Sequence, residues 1–242
     1  MRRLKYYRIG VFTVLMEWTP VADAAVGQWL AASLEKHWGR TSAANYAAAV
    51  IPRGFAAYAR LLHPAYSGSE AGELTWSQVA KLSGRTPHAQ MQWQAISFPG
   101  ISEPCTGHLP DRQAKILAEI LCRYTSTPET CYFAIWDGWG FPEVRKLRDQ
   151  TARLYLPDRA YYLLKGNLKA ALEGSSALSW RAVNIWWPED RRWCAATEVD
   201  LMWTYIGGEE ACINAILSDR RLETWRAALD DRLDVLGDEI NQ

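Results

Sequence analysis

Apolar side chains recur at helical spacing through much of the first half of the chain and gather in short β-rich runs from residue 131 on. That change of texture divides the sequence into a helix-rich part and a strand-rich part. A run from Tyr7 to Met16 reads as a strand. After it, Ala22, Val26, Trp29, Leu30, Leu34 and Trp38 share one face of a helix that Gly39 closes. The alanine-rich stretch from Ser42 to Val50 reads as a second, short helix that stops before Pro52. Phe55 to Leu62 fits either period. Ser67 to Gly72 is a polar turn, and Thr75 then has the position of an N-cap for a helix carrying Trp76, Val79, Ala80 and Leu82 to Gly84. Asp111 caps the next helix, whose stripe is Ala114, Leu117, Ile120, Leu121 and Tyr124.

From residue 131 the runs are short and β-rich: Cys131 to Trp136, Arg153 to Leu156, Tyr161 to Leu164, Val183 to Trp187 and Trp193 to Ile206. The links Pro157-Asp158-Arg159 and Pro188-Glu189-Asp190 are too short to hold a crossover helix, so antiparallel pairing is expected. Gly207-Gly208 leads into a helix turning Ala211, Ile213, Ile216 and Leu217 inward. A last amphipathic segment aligns Trp225, Leu229, Leu233, Leu236 and Ile240. These elements predict an α+β fold with a helix-rich N-terminal portion packed on a mostly antiparallel sheet from the C-terminal half. Residues 1–242 are read as one domain. The connection holding Pro99, Gly100, Pro104, Gly107 and Pro110, between residues 98 and 110, is the candidate for a subdomain border or a mobile flap.

Composition narrows the function classes. With 49% hydrophobic and 22% charged residues the chain reads as an ordinary globular protein. Its 27 basic and 27 acidic side chains cancel, so no global positive field draws it to phosphate backbones, and nucleic acid is not an expected partner. Locally, Arg2, Arg3, Lys5 and Arg8 open the sequence while Asp230, Asp231, Asp234, Asp238 and Glu239 crowd its end, a contrast that solvated faces alone explain. The five cysteines are odd in number and form no Cys-x-x-Cys pair, which suits reduced thiols in a cytoplasmic protein. The apolar run from Ile9 to Met16 after a basic start is short and is followed by Glu17 and Trp18 with no small-residue cleavage site, so it is not expected to be a secretory signal. No stretch approaches the roughly 20 apolar residues of a membrane span, so no membrane partner is expected.

Candidate chemistry is sparse. If Trp193 to Ile206 is one strand, Thr197, Val199, Leu201, Trp203 and Tyr205 share a face, and Glu198 and Asp200 stand side by side on the other, about 7 Å apart. Such a pair could divide acid and base roles or hold a hard metal ion, with Asp137 as a third oxygen donor. Alternating charge is also what any half-exposed antiparallel strand carries. Cys105 and His108 have a ligand-like gap, but zinc needs four convergent ligands, and His37, His63 and His88 add no second close pair. No metal and no cofactor are expected. Asp137-Gly138 after an apolar strand is what a tight turn requires, and Gly138 with Gly140 forms no phosphate loop.

Thirteen tryptophans remain, with Trp180, Trp186, Trp187, Trp193 and Trp203 close together in the sequence. Rings of this size either fill a core or anchor an interface. The second reading assigns Trp136, Asp137, Trp139, Trp187 and Trp203 to a binding surface.

The segments Cys131 to Gly140, Trp187 to Asp200 and Thr204 to Gly208 resemble a family of uncharacterised bacterial proteins over roughly residues 110 to 225. That resemblance carries no catalytic residues with it. At the level of fold and composition the chain is also similar to bacterial immunity proteins of the SUKH kind, and this implies a non-enzymatic protein that neutralises a toxin by binding it. The expectation is therefore a cytosolic binding protein with a protein partner, its oligomeric state open. The alternative is a hydrolase of glycosidic or phosphate bonds working through Glu198 and Asp200. A third reading is self-association through the acidic terminal helix.

Overall fold

Successive side chains of a strand point to opposite faces of its sheet, and here both faces are used. The computed structural model describes residues 18–35, 45–68, 72–168 and 183–242. The strand expected at 7–16, the basic residues before it, His37, Trp38 and Trp180 lie outside these.

Among the described residues nine strands form one sheet, every pairing antiparallel. They are β1 (Trp18–Pro20), β2 (Ala57–Leu62), β6 (Cys131–Trp136), β7 (Arg153–Tyr155), β8 (Ala160–Gly166), β9 (Val183–Pro188), β10 (Trp193–Ala196), β11 (Trp203–Gly208) and β12 (Thr224–Ala227). The order is β1-β8-β6-β9-β10-β11-β2-β12, with β7 also on β8. Strands β3 (Ala65–Ser67), β4 (Glu73–Leu74) and β5 (Ile101–Ser102) form a small second sheet.

One face of the large sheet carries Phe133, Ile135, Leu164, Trp186, Trp193 and Ile206, covered by α4 (Asp111–Leu121) and α6 (Glu210–Ser218). The other carries Tyr132, Ala134, Leu163, Ile185, Trp187, Trp203 and Tyr205, covered by α1 (Gln28–Ser33), α2 (Trp76–Leu82) and α3 (Trp93–Ile96). A short α5 (Pro142–Lys146) follows β6. Each large side chain enclosed in this way contributes roughly 1.5–3 kcal/mol. The N-cap of α2 follows its sequence signature: Thr75 and Gln78 close a capping box, and Gly84 follows at φ +69°.

The α+β class is as expected, but a helix-rich N-terminal portion is not evident among the described residues. The segment fitting either period is β2, which lies between β11 and β12 with all six residues buried. Burial on both faces erases the alternation that marks a half-exposed strand. Trp193 to Ile206 is two strands of a hairpin instead of one, turning at Leu201 N–H to Glu198 O (3.0 Å). The last segment is not an α-helix; its one helical turn is the 3-10 turn Val235–Gly237. After β12 the backbone bonds to residues 45–48 through Leu229 O, Asp231 O and Leu233 N, so only Leu233 of its stripe is buried, while Leu236 and Ile240 are exposed. In α6, Cys212 takes the inward place expected for Ala211.

The 98–110 connection is fastened to the sheet at several points. Ile101 and Ser102 pair with β3, Gly107 N donates to Leu201 O (2.9 Å), and Leu109 is buried.

Candidate functional site

Asn184 interrupts an apolar strand, and the chain accommodates it with a bulge. Ala134 lies opposite Ile185 but Ile135 lies opposite Val183, so Asn184 is the extra residue. It is fully buried, and its amide is fully used. The oxygen accepts from Trp136 N (2.9 Å) and Trp139 Nε1 (3.0 Å), while the nitrogen donates to Gly107 O (3.0 Å) and Thr197 O (3.3 Å). One side chain thus joins the end of β6, the 98–110 connection and the β10–β11 loop.

On this support sits a ladder of aromatic rings. Trp136 meets Trp139 edge-on at 5.5 Å, and Trp139 stacks on Phe141 at 5.4 Å. Trp136 and Trp139 are half-buried and Phe141 is 41% exposed, so the outer rung faces solvent. Two glycines make room for the rings. A Cβ on Gly138 would lie 2.2 Å from the Trp136 ring, and one on Gly107 (φ +82°) would lie 2.6 Å from Val199 O and 2.9 Å from the Trp139 ring.

Beside the ladder, Arg159 in the β7–β8 turn lies 5.2 Å over the Trp136 ring and spans both acidic candidates. Its Nε donates to Glu198 Oε1 (2.6 Å) and its Nη2 to Asp200 Oδ2 (2.7 Å). Arg153 lies 3.4 Å from Asp137. Burial raises the Glu198 carboxyl above its usual range despite Arg159, whereas the Asp200 side chain is 64% exposed. Glu198 borders a recess with Thr197, Arg159 and Tyr161, whose phenol burial also raises. The recess has about 30 Å³ of free volume, room for a water molecule or two. Asp200 is not part of it.

Behind the loop runs a buried chain of hydrogen bonds. His63 Nδ1 faces Cys105 O at 2.7 Å, and a carbonyl can only accept, so Nδ1 carries the proton. Nε2 therefore accepts from the Thr204 hydroxyl (3.0 Å), which in turn accepts from Thr197 (2.7 Å). Burial pushes His63 down to about 3, which keeps the ring neutral.

The structure brings together Trp136, Asp137, Trp139, Glu198 and Asp200. It does not place Trp187 and Trp203 with them on a surface. These are 0% and 4% exposed, because strand alternation turns both into the second face of the sheet. Trp187 stacks on Tyr132, and Trp203 lies beneath Arg60 at 4.0 Å. Glu198 and Asp200 are joined by an arginine in a loop instead of standing on one strand face. Among the described residues no group of three or more His, Cys, Asp or Glu is arranged to hold a metal, and Cys105 with His108 gains no third ligand. Among the described residues, no helix is long and apolar enough to cross a membrane.

Sequence reasoning missed Asn184, Arg159 and Phe141. The first had a signal, since an amide inside Val183-Asn184-Ile185-Trp186-Trp187 must find partners in the interior. Arg159 was visible only as part of a turn. No protein-family profile, curated protein or solved structure matches the chain.

Proposed function

We propose that this is a non-enzymatic, cytosolic binding protein, of immunity type, that meets a protein partner through the Trp136–Trp139–Phe141 ladder and the adjoining Arg159, Glu198 and Asp200. The carrying observation is a rigidly supported aromatic stack whose outer ring is 41% exposed beside an arginine bridging two carboxylates. Half-buried aromatic and Arg residues on a fixed scaffold are the usual anchors of protein interfaces. The test is crosslinked capture from the native cell with the natural chain and with Phe141→Ser. A stoichiometric partner retained by the first and lost by the second is the expected result. Equal capture by both, or none by either, overturns the assignment of this surface.

The hydrolase reading retains one supporting observation, a Glu198 carboxyl raised by burial beside Thr197 and Tyr161. A paired-carboxylate mechanism would also need Asp200, which is tied to Arg159 outside the recess. Glu198→Gln tests this reading: an enzyme working through Glu198 loses its turnover and keeps its fold, whereas a binding protein has no turnover for the change to abolish.

A further inference from the structure

A second cleft, of about 570 Å³, opens between the 88–90 loop, the antiparallel bridge of Tyr46 with Arg232, and the final residues of the chain. Its size lies within the roughly 300–1,000 Å³ of ligand sites. Residues 46–50 separate it from the Glu198 recess: Tyr46 lines the cleft, and Ala49 and Val50 line the recess.

The cleft wall is built, not frayed. The Asp238 side chain is buried and accepts from Gln92 N (3.0 Å), Asn241 N (2.8 Å) and His88 Nε2 (2.8 Å). Asn241 exchanges two hydrogen bonds with Thr86 (2.9 and 3.0 Å). This fastened strap nevertheless holds Val235, Leu236 and Ile240 at 58%, 59% and 60% exposure, and Tyr46 across the cleft is 39% exposed. Two of these, Ile240 and Tyr46, line the cleft itself, and large apolar side chains kept in water at a ligand-sized cleft mark a contact surface.

Its charge selects the occupant. Arg232 is already engaged by Asp234 through Nε–Oδ1 (3.0 Å) and Nη2–Oδ2 (2.8 Å). Asp230 and Glu239 line the same cleft and, among the described residues, make no salt bridge, although the Glu239 charge acts on Arg232. An apolar rim with two carboxylates facing one arginine that Asp234 already engages complements a segment that alternates basic and apolar side chains.

We propose that this cleft docks a basic, amphipathic peptide segment of a protein partner, its cationic side chains on Asp230 and Glu239 and its apolar ones on Ile240 and Tyr46. The surface is separate from the aromatic ladder and does not depend on it.

The test is fluorescence anisotropy of a labelled peptide of repeating Arg-Ile-Lys-Leu, and of its Glu-Ile-Glu-Leu counterpart, titrated with the full chain. The basic peptide should bind and the acidic one should not. Asp230→Asn combined with Glu239→Gln should weaken binding at least about tenfold. Ile240→Ser should do the same with an unchanged thermal midpoint, since the side chain is exposed, and Phe141→Ser should have no effect. Equal binding of the two peptides, or binding indifferent to the cleft substitutions, overturns the proposal. So does binding that appears only after Arg2, Arg3, Lys5 and Arg8 are replaced by Glu, which would make the chain's own basic segment the occupant.

Discussion

The side-chain oxygen of Asn184 accepts the indole N–H of Trp139 at 3.0 Å, inside a strand that is otherwise apolar. The same amide also holds Trp136 N, Gly107 O and Thr197 O, so truncating it leaves two donors and two acceptors without partners in the interior. Asn184→Ala should cost about 3–5 kcal/mol, at about 1–3 kcal/mol for each buried group only partly rescued by water. Urea unfolding followed by tryptophan fluorescence measures it. A loss under about 1 kcal/mol would show that the hub does not organise the ladder.

Gly107 meets two demands at once, a φ of +82° and an approach that leaves a Cβ 2.6 Å from Val199 O. Because that contact is with backbone, no rotamer change can relieve it. Gly107→Ala should therefore destabilise by about 2–4 kcal/mol. Gly140→Ala, where nothing lies within 4 Å of the added carbon, should be nearly neutral. Equal midpoints for the two variants in thermal unfolding would contradict the packing described.

Much of the sheet was legible because its strands are short runs rich in aromatic and β-branched residues, bounded by Pro, Asp and Gly turns; the expected Cys131–Trp136 strand is β6 as found, although both its faces are buried. Legibility failed in β2, where burial on both faces is joined to alanine and leucine in place of β-branched residues, and where polar alternation continues through a turn. Glu198-Val199-Asp200 reads like a strand edge yet forms the β10–β11 loop. Of the site, the Trp136-Asp137-Gly138-Trp139 turn could be read locally. Arg159 could not, because it reaches Glu198 from 39 residues away, a pairing set by strand order. Trp187 and Trp203 show the converse limit: a tryptophan's type does not say which way its strand turns it, and both are enclosed.

His63 gives the protein a pH dependence of known sign. Its ordinary pKa of 6.5 in the unfolded chain falls to about 3 when buried, so the unfolded state binds the proton more tightly. Stability from this group is complete above about pH 6.5 and declines as pH falls toward 3, by about 1.4 kcal/mol per unit and about 5 kcal/mol in all. His63→Gln should be less stable at neutral pH, yet show a shallower fall between pH 6.5 and 4 in urea midpoints. Parallel curves for the two proteins would mean that His63 is not held neutral by the fold.

Arg159 neutralises Glu198, whose side chain is only 10% exposed, and Glu198 already titrates above the usual carboxylate range because of burial. Arg159→Met removes the cation and leaves a largely buried carboxylate. At neutral pH this should cost about 1–3 kcal/mol. A protonated carboxyl needs no cation, so the difference from the natural chain should shrink as pH falls through the Glu198 titration. Arg159→Met combined with Glu198→Gln should recover most of the loss, because no largely buried carboxylate is then left without its cation; Asp158, which also lines the recess, is exposed. Thermal midpoints of the three proteins at neutral and mildly acid pH check both statements. A deficit that persists undiminished in acid, or in the double variant, would locate the role of Arg159 in its packing over Trp136 at 5.2 Å instead of in its charge.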